Sequence, residues 1–350
     1  MELTRHNPEE QEVTRSVLSQ GCVSASAITP IETCEAKAYL EYEEGWEKVS
    51  KSGGLKTGLL MHDGQEMYLN GHNESAVINS LEQEAKDSGY DEDELFLPKL
   101  RAYIKGYYER WETEDAETIS NGATEFSNKY DLEGTEVAFN FELDGITFSG
   151  RIDAVLYDRE DDCMIMMEHK NLSPLSVSSK DLEDSTSLFW KSLVLNNQVT
   201  IYTTFLAMQY KRPVKLWYDV VQTSPATKPK MKPGKTVNKV KQPGERETLD
   251  EFEERLTNQY RDQDKPKYMR KMIPILEDKR KERMQEILSI ASKAQGMAYL
   301  ANPIRNTTSC KDYGGCAFFS VCIGDENIYD NPKFDKKKHF KKENENEHPF

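Results

Sequence analysis

The segment that most constrains this chain is residues 163–170, CMIMMEHK. Side chains alternate between the two faces of a strand, so Met164, Met166, Glu168 and Lys170 share one side while Cys163, Ile165, Met167 and His169 share the other. Both sides begin apolar. That is the pattern of a central strand covered on both faces, and it predicts an α/β fold with helices on either side of a sheet. The last three residues are charged or ionisable, so Glu168 and Lys170 emerge together at the strand end.

The neighbouring sequence supplies strand partners. Residues 136–142 (EVAFNFE) alternate, Asp144-Gly145 is a hairpin signal, 146–157 reads as a second strand, and DREDD at 158–162 reads as a turn. A turn of about six residues sets Tyr157 opposite Met164 and Asp153 opposite Glu168. Facing residues of an antiparallel pair have Cβ atoms about 4.5–5.5 Å apart. Two carboxylates that close repel unless a cation sits between them, and carboxylate and water ligands suit Mg²⁺ or Mn²⁺. Lys170 is then placed to position or help deprotonate a metal-bound water. The competing explanation is a surface acid pair salt-bridged to a lysine. The apolar run that leads into the triad weighs against it.

Around this core the pattern is helical at 56–69, 74–86 and 94–112, with weaker helical character at 8–20 and helical spacing within 24–44. A long buried helix is expected at 186–210, a fourth strand at 214–221, and helices at 247–262 and 275–298. The divisions expected are a mainly helical part at 1–134, a core at 135–225, a basic loop with helices and a cysteine cluster at 226–330, and a disordered charged tail at 331–350. The N-terminus has no apolar stretch of a signal peptide and no run approaches a membrane span, so a cytoplasmic protein without a membrane partner is expected.

The chain carries 46 basic and 61 acidic residues, a net charge of −15. Bulk charge therefore does not hold it to nucleic acid. Two stretches are locally basic: residues 226–246, with seven basic residues and one acid, and 265–284, with eight against three. Either lines a positive channel or is a solvated surface. Tyr107, Tyr108 and Trp111 are candidates for stacking on unpaired bases, with core packing the stronger reading.

Three further groups stand out. Gln198 and Tyr202 are spaced i, i+4 on one helix face, within reach of a phosphate or base above the carboxylates. His62 follows Gly58 by four residues; the glycine allows close approach of another backbone, and the imidazole is a candidate metal ligand. Cys310, Cys316 and Cys322 are spaced C-x5-C-x5-C. Iron–sulfur clusters and structural zinc both usually take four ligands. The fourth must be distant, and Cys34 is preferred to Cys22. Spacing alone leaves iron–sulfur and zinc both open. Cys163 reads as an ordinary buried thiol.

Taken together, Gly58 to His62, Gly150 to Asp153, Glu168 to Lys170 and Gln198 to Tyr202 resemble the ordered motifs of the PD-(D/E)XK nuclease superfamily in its RecB-like branch. The segment SASAITPIETCEAKAYL at 24–40 resembles the opening of the iron–sulfur subset, which includes AddB-like, CRISPR-adaptation and phage-type exonucleases. The resemblance covers roughly residues 24–325 and implies a restriction-endonuclease-like core: a small mixed sheet flanked by helices, its N- and C-terminal segments stapled by a metal cluster. It implies that His62, Asp153, Glu168 and the backbone carbonyl of His169 bind Mg²⁺ or Mn²⁺, that Lys170 assists the attacking water, and that Gln198 and Tyr202 position DNA. It implies that Cys34, Cys310, Cys316 and Cys322 hold a [4Fe–4S] cluster. Better-known members space their last three cysteines C-x2-C-x5-C, which differs from this chain. The activity implied is metal-dependent DNA hydrolysis, most naturally from single-stranded or duplex ends, with a helicase or recombinase partner, in a bacterial or phage-infected cell. The alternatives are a catalytically silent DNA-binding scaffold and a zinc-stapled endonuclease.

Overall fold

The computed structural model describes residues 18–337 apart from the short segments 50–52, 121–128, 174–176, 224–227, 233–235, 238–239, 242–243, 263–266 and 298–302. The expected weak helix at 8–20 lies almost wholly outside the described residues. In chain order the elements that build the molecule are β1 (Cys22–Ser24), α1 (Ala25–Thr33), β2 (Trp46–Lys48), α2 (Gly53–Leu69), α3 (Glu74–Asp87), α4 (Phe96–Thr118) and β3 (Ile119–Ser120). They continue with β4 (Tyr130–Leu143), β5 (Ile146–Asp158), β6 (Cys163–Leu172), α5 (Asn197–Tyr210), β7 (Val214–Gln222), α6 (Leu249–Arg261), β8 (Tyr268–Pro274), α7 (Glu277–Met297) and β9 (Phe334–Lys336).

The apolar alternation of β6 does what it predicts. Met164 and Met166 are buried in a core shared with α1, α5 and α7, while Ile165 and Met167 are buried in a second core shared with α2 and α4. The sheet between these layers is mixed, with strand order β8–β7–β6–β5–β4–β3 and β1 added alongside β5. It has seven strands, where the sequence pattern picks out four. The three extra strands are missed for physical reasons: β1 and β3 are two or three residues long, and β8 (YMRKMIP) carries charge that only its ion pairs make tolerable.

The register matches the expectation. Tyr157 pairs with Met164, and the ladder runs to Ala154 opposite Met167. It stops one step short of Asp153 and Glu168, because Asp153 Oδ2 accepts the hydrogen bond from the His169 backbone N–H at 2.7 Å. β1 pairs in parallel with Thr147–Ser149. Along that side of β5 the stretch from Gly150 to Asp153 therefore lies between two partners and pairs with neither.

Other expectations are corrected. The helix foreseen at 186–210 is broken. A short turn of helix (188–192) and a 3-10 turn (193–195) precede α5, and Asn196 caps α5 by accepting from the Val199 N–H at 3.1 Å. Residues 331–337, foreseen as part of a disordered tail, are ordered. Phe334–Lys336 pairs antiparallel with Trp46–Lys48, and Phe334 stacks on Phe318 within a small satellite core; residues 338–350 lie outside the described residues. Tyr107, Tyr108 and Trp111, by contrast, are core residues as the stronger reading expects, each at most 3% exposed. Among the described residues no helix is long and apolar enough to cross a membrane.

Candidate active site

The gap beside β5 is where the ionisable residues converge. Asp153 comes from β5, Glu168 and Lys170 from the end of β6, His62 from α2, and Gln198 from the first turn of α5. His62 Nδ1 lies 3.6 Å from Asp153 Oδ1. Lys170 Nζ donates a short hydrogen bond to Glu168 Oε1 and a weaker one to Gln198 Oε1 at 3.4 Å. Glu168 is 1% exposed, and its other oxygen, Oε2, is buried without a hydrogen-bond partner. A buried carboxylate oxygen left so is costly.

The electrostatics follow from this packing. Burial pushes Glu168 up to about 7, with Asp153 adding to the rise and Lys170 opposing it. Burial also acts against ionisation of Asp153, but the hydrogen bond and charge of His62 and the contacts with His169 hold it below its usual value. His62 is correspondingly raised: burial opposes its charge, and Asp153 outweighs that. Lys170 is raised in the same way, Glu168 outweighing burial. Two neighbouring carboxyls are thus driven apart, one lowered and one raised towards neutral pH.

A fifth ionisable residue belongs here that the sequence reading passed over. Glu136 sits on β4 between Thr135 and Val137, which pair with Ala154 and Ile152, and so stands opposite Asp153. Its backbone is left-handed, φ 47°, beside a register shift between Leu132 and Gly134. One oxygen or nitrogen each from His62, Glu136 and Asp153 lie within 4.8 Å of one another. Burial and Asp153 push Glu136 up to about 7, with Arg151 and His62 opposing. The signal in the sequence was weak: Glu136 looks like any outward-facing residue of an alternating strand, and only the irregular ladder turns it inward.

The remaining predicted residues fall as follows. Tyr202 is 6% exposed and packs edge-on against Phe139, 5.1 Å between centroids. It also hydrogen-bonds Gln198 and the Arg151 backbone. Gly150 explains its own place in the motif: a Cβ there would meet Tyr202 Cε1 at 2.6 Å and Phe139 Cζ at 2.8 Å. Gly58 has no such reason. A Cβ there would meet nothing within 4 Å, so the expected close backbone approach does not occur. The tight position on α2 is Gly64, against Ile104 and Leu81.

His169 points to the opposite side of β6, into a buried network the sequence reading also missed. Its Nδ1–H donates to Asp219 Oδ2 at 2.9 Å, as does the Tyr107 hydroxyl at 2.6 Å. Arg270 Nε lies 3.2 Å from Asp219 Oδ1. The same guanidinium donates to both oxygens of Asp115 at 2.6 and 2.7 Å, and Tyr68 donates to Asp115 at 2.8 Å. Burial would raise Asp219, but Arg270 and His169 hold it down at about 2. Arg270 therefore serves the core, and the stretch 265–284 is not a continuous positive channel: Lys267 is tied to Gln222, Lys271 to the Ser185 carbonyl and Arg283 to Glu32. Part of the other basic stretch, 226–246, lies outside the described residues; within the described part Lys232 is paired with Glu251 at 2.6 Å and Arg246 lies 3.8 Å from Glu94.

The four candidate cluster cysteines are free thiols and half-buried. Cys34 occupies the extended break after α1, φ −161° and ψ 104°. The segment that bears the other three is hydrogen-bonded to that break: Asn306 Nδ2 and Ser309 Oγ both donate to the Thr33 carbonyl, at 2.7 and 3.1 Å. Cys322 is raised by burial, and Cys316, Cys34 and Cys310 each add to the rise while Arg305 opposes it.

Residues 22–323 match the sequence profile of the PD-(D/E)XK nuclease superfamily. Among solved structures, a provisionally named exonuclease from Eubacterium rectale is similar over 95% of this chain and 96% of its own, at 14% identity and a TM-score of 0.48. No curated protein matches the chain.

Proposed function

The chain belongs to the PD-(D/E)XK nuclease superfamily, and from that premise we propose that it is a divalent-metal-dependent DNA nuclease of the RecB-like branch, an exonuclease acting at DNA ends. The observation that carries the proposal is Glu168 Oε2, buried and without a partner beside an ionised Asp153 and a lysine. The donor set of two or three carboxylates and one imidazole fits Mg²⁺ or Mn²⁺. His62, Asp153, Glu168 and the His169 carbonyl would hold the ion, with Glu136 within reach. Bound there, it supplies Lewis acidity at the scissile phosphate and a more acidic water. The chain's own residues do the rest. Lys170 offsets negative charge that develops on the phosphoryl oxygens. Gln198, held by Tyr202 through Gly150, orients the Lys170 ammonium. Asp153 fixes the end of β6 through the His169 N–H.

For the cysteines the reading is an iron–sulfur cluster, with zinc as the alternative; both usually take four ligands. Cys316, Cys34 and Cys310 each raise the Cys322 thiol, which puts the four near enough to act on one another. The cluster would join the ends of the fold, since Cys34 and the segment 303–336 come from opposite ends of the described chain.

The test is digestion of end-labelled single- and double-stranded DNA with Mg²⁺ or Mn²⁺, by iron-loaded protein beside Asp153→Ala and Lys170→Ala. Metal-dependent digestion lost in both variants supports the nuclease, and release of mononucleotides from an end supports the exonuclease. Iron-loaded protein that binds DNA and cuts neither substrate overturns it in favour of a scaffold. A colourless, zinc-containing protein overturns the cluster assignment, and cutting within a strand overturns the exonuclease.

A further inference from the structure

A cavity of about 570 Å³ opens between the C-terminus of α5 and the N-terminus of α7. It lies at the far end of α5 from Gln198; Met208, on its rim, is about 15 Å along the helix axis from that residue. No residue of the candidate active site lines it. Its size is that of an ordinary small-molecule pocket.

The chemistry of the lining is mixed. Leu143, Met208 and Met284 give one apolar side, and Lys211, Arg280 and Lys281 give a cationic one. Met208 is 48% exposed although large and apolar. Lys211 caps α5 in a left-handed conformation, φ 53°. Arg280 is the informative residue. It is 8% exposed and lies in the first turn of a 21-residue helix. Its side chain makes no hydrogen bond among the described residues. Its one ion-pair neighbour is Glu277 at 3.9 Å, and that carboxylate is already held by Lys281 at 2.7 Å. Burial pulls Arg280 below its usual value, with Glu277 only partly offsetting. A guanidinium presents five donors in a fixed fork that matches carboxylate and phosphate geometry, and this one lines the cavity with no hydrogen-bond partner among the described residues.

We infer that this cavity is a second binding site, distinct from the nuclease centre, for a small organic anion: a phosphate or carboxylate engaged by Arg280, joined to an apolar body resting on Met208, Met284 and Leu143. Phosphate and carboxylate share the chemistry Arg280 recognises, so both are probed. The full chain, without added divalent metal, is titrated calorimetrically with dAMP, octanoate, inorganic phosphate and deoxyadenosine.

At least one of dAMP and octanoate is expected to bind one-to-one with a Kd below about 1 mM. Affinity should fall about tenfold or more in Arg280→Gln, the loss expected for hydrogen bonds to a charged group. Because Arg280→Gln can disturb a buried site, Met208→Glu is run beside it: this exposed substitution sets a carboxylate at the rim and should weaken the same ligand. Asp153→Asn should leave binding unchanged. The inference is overturned if neither organic anion saturates, or if inorganic phosphate binds as tightly as dAMP and octanoate. It is also overturned if both pocket variants bind like wild type, or if Asp153→Asn abolishes binding while the pocket variants retain it.

Discussion

Strand β6 separates two clusters of charge that solve the same problem in opposite ways. On one side Glu136, Asp153 and Glu168 face a single lysine, and a buried oxygen of Glu168 is left over. On the other, Asp115 and Asp219 share Arg270, whose guanidinium sits among two tyrosine hydroxyls and the His169 ring. In the second cluster one guanidinium lies within ion-pair distance of both carboxylates, although His169 Nε2 and Gln65 Oε1 are buried without hydrogen-bond partners. In the first, Lys170 reaches Glu168 Oε1 and leaves Oε2 over. Under the proposed function, the contrast separates a buried charge group that serves the architecture from one that would receive a metal ion.

That contrast is broken or sharpened by substitution. The largest effect is expected from Glu168→Gln: DNA cleavage falls on the order of 10³-fold, while the metal-free protein keeps or gains melting temperature, because an acid under desolvation strain has been removed. A steady-state cleavage assay and a thermal melt on the same sample decide it, and a large loss of stability would put Glu168 in the architectural class. Arg270→Met should do the reverse. It leaves two buried carboxylates uncompensated and costs about 3–5 kcal/mol, read as a shift in the urea midpoint, with cleavage per folded molecule much less affected.

Gly150→Ala comes next. The added methyl overlaps Tyr202 and Phe139, which should cost about 1–3 kcal/mol of stability and lower the cleavage rate through displacement of Gln198; Gly58→Ala, with open space around it, should do neither. The smallest effect is the pH dependence. Glu168 and Glu136 are both raised to about 7, above the ordinary carboxylate value of about 4.3. Between those values the folded chain holds protons that the unfolded chain has lost, so stability present at the acid end is lost as pH rises towards 7. The metal-free melting temperature should therefore drop between pH 5 and pH 8 (about the span of that window). Mn²⁺ should raise it more at the upper end, where protons no longer compete for the oxygens. A flat metal-free profile would show that the carboxylates already have their partner.

Much of this was legible in sequence because the informative segments obey simple periodicities. Two-residue alternation in β6 fixed which side chains share a face, and the length of the turn at 158–162 fixed the register that brings Asp153 to Glu168. What was illegible depended on tertiary partners. Asp219 in the run VKLWYDVV and Arg270 in YMRKMIP each look out of place in a buried strand, and only their mutual proximity explains them. Glu136 needed a ladder irregularity that no local pattern announces. Asn196, read as the middle of a helix, acts as a cap because its side chain competes with the backbone for the Val199 N–H.

The pairing of β2 with β9 carries a consequence for biosynthesis. Trp46–Lys48 emerges from the ribosome early, yet its strand partner among the described residues is Phe334–Lys336, and the Thr33 carbonyl waits for Asn306 and Ser309. The N-terminal quarter of the molecule therefore cannot be completed while the chain is being made. Such long-range closure is slow and leaves apolar surface uncovered meanwhile. A stop codon anywhere before residue 303 would not merely shorten the protein; it would strand its beginning half-built, a target for proteolytic clearance.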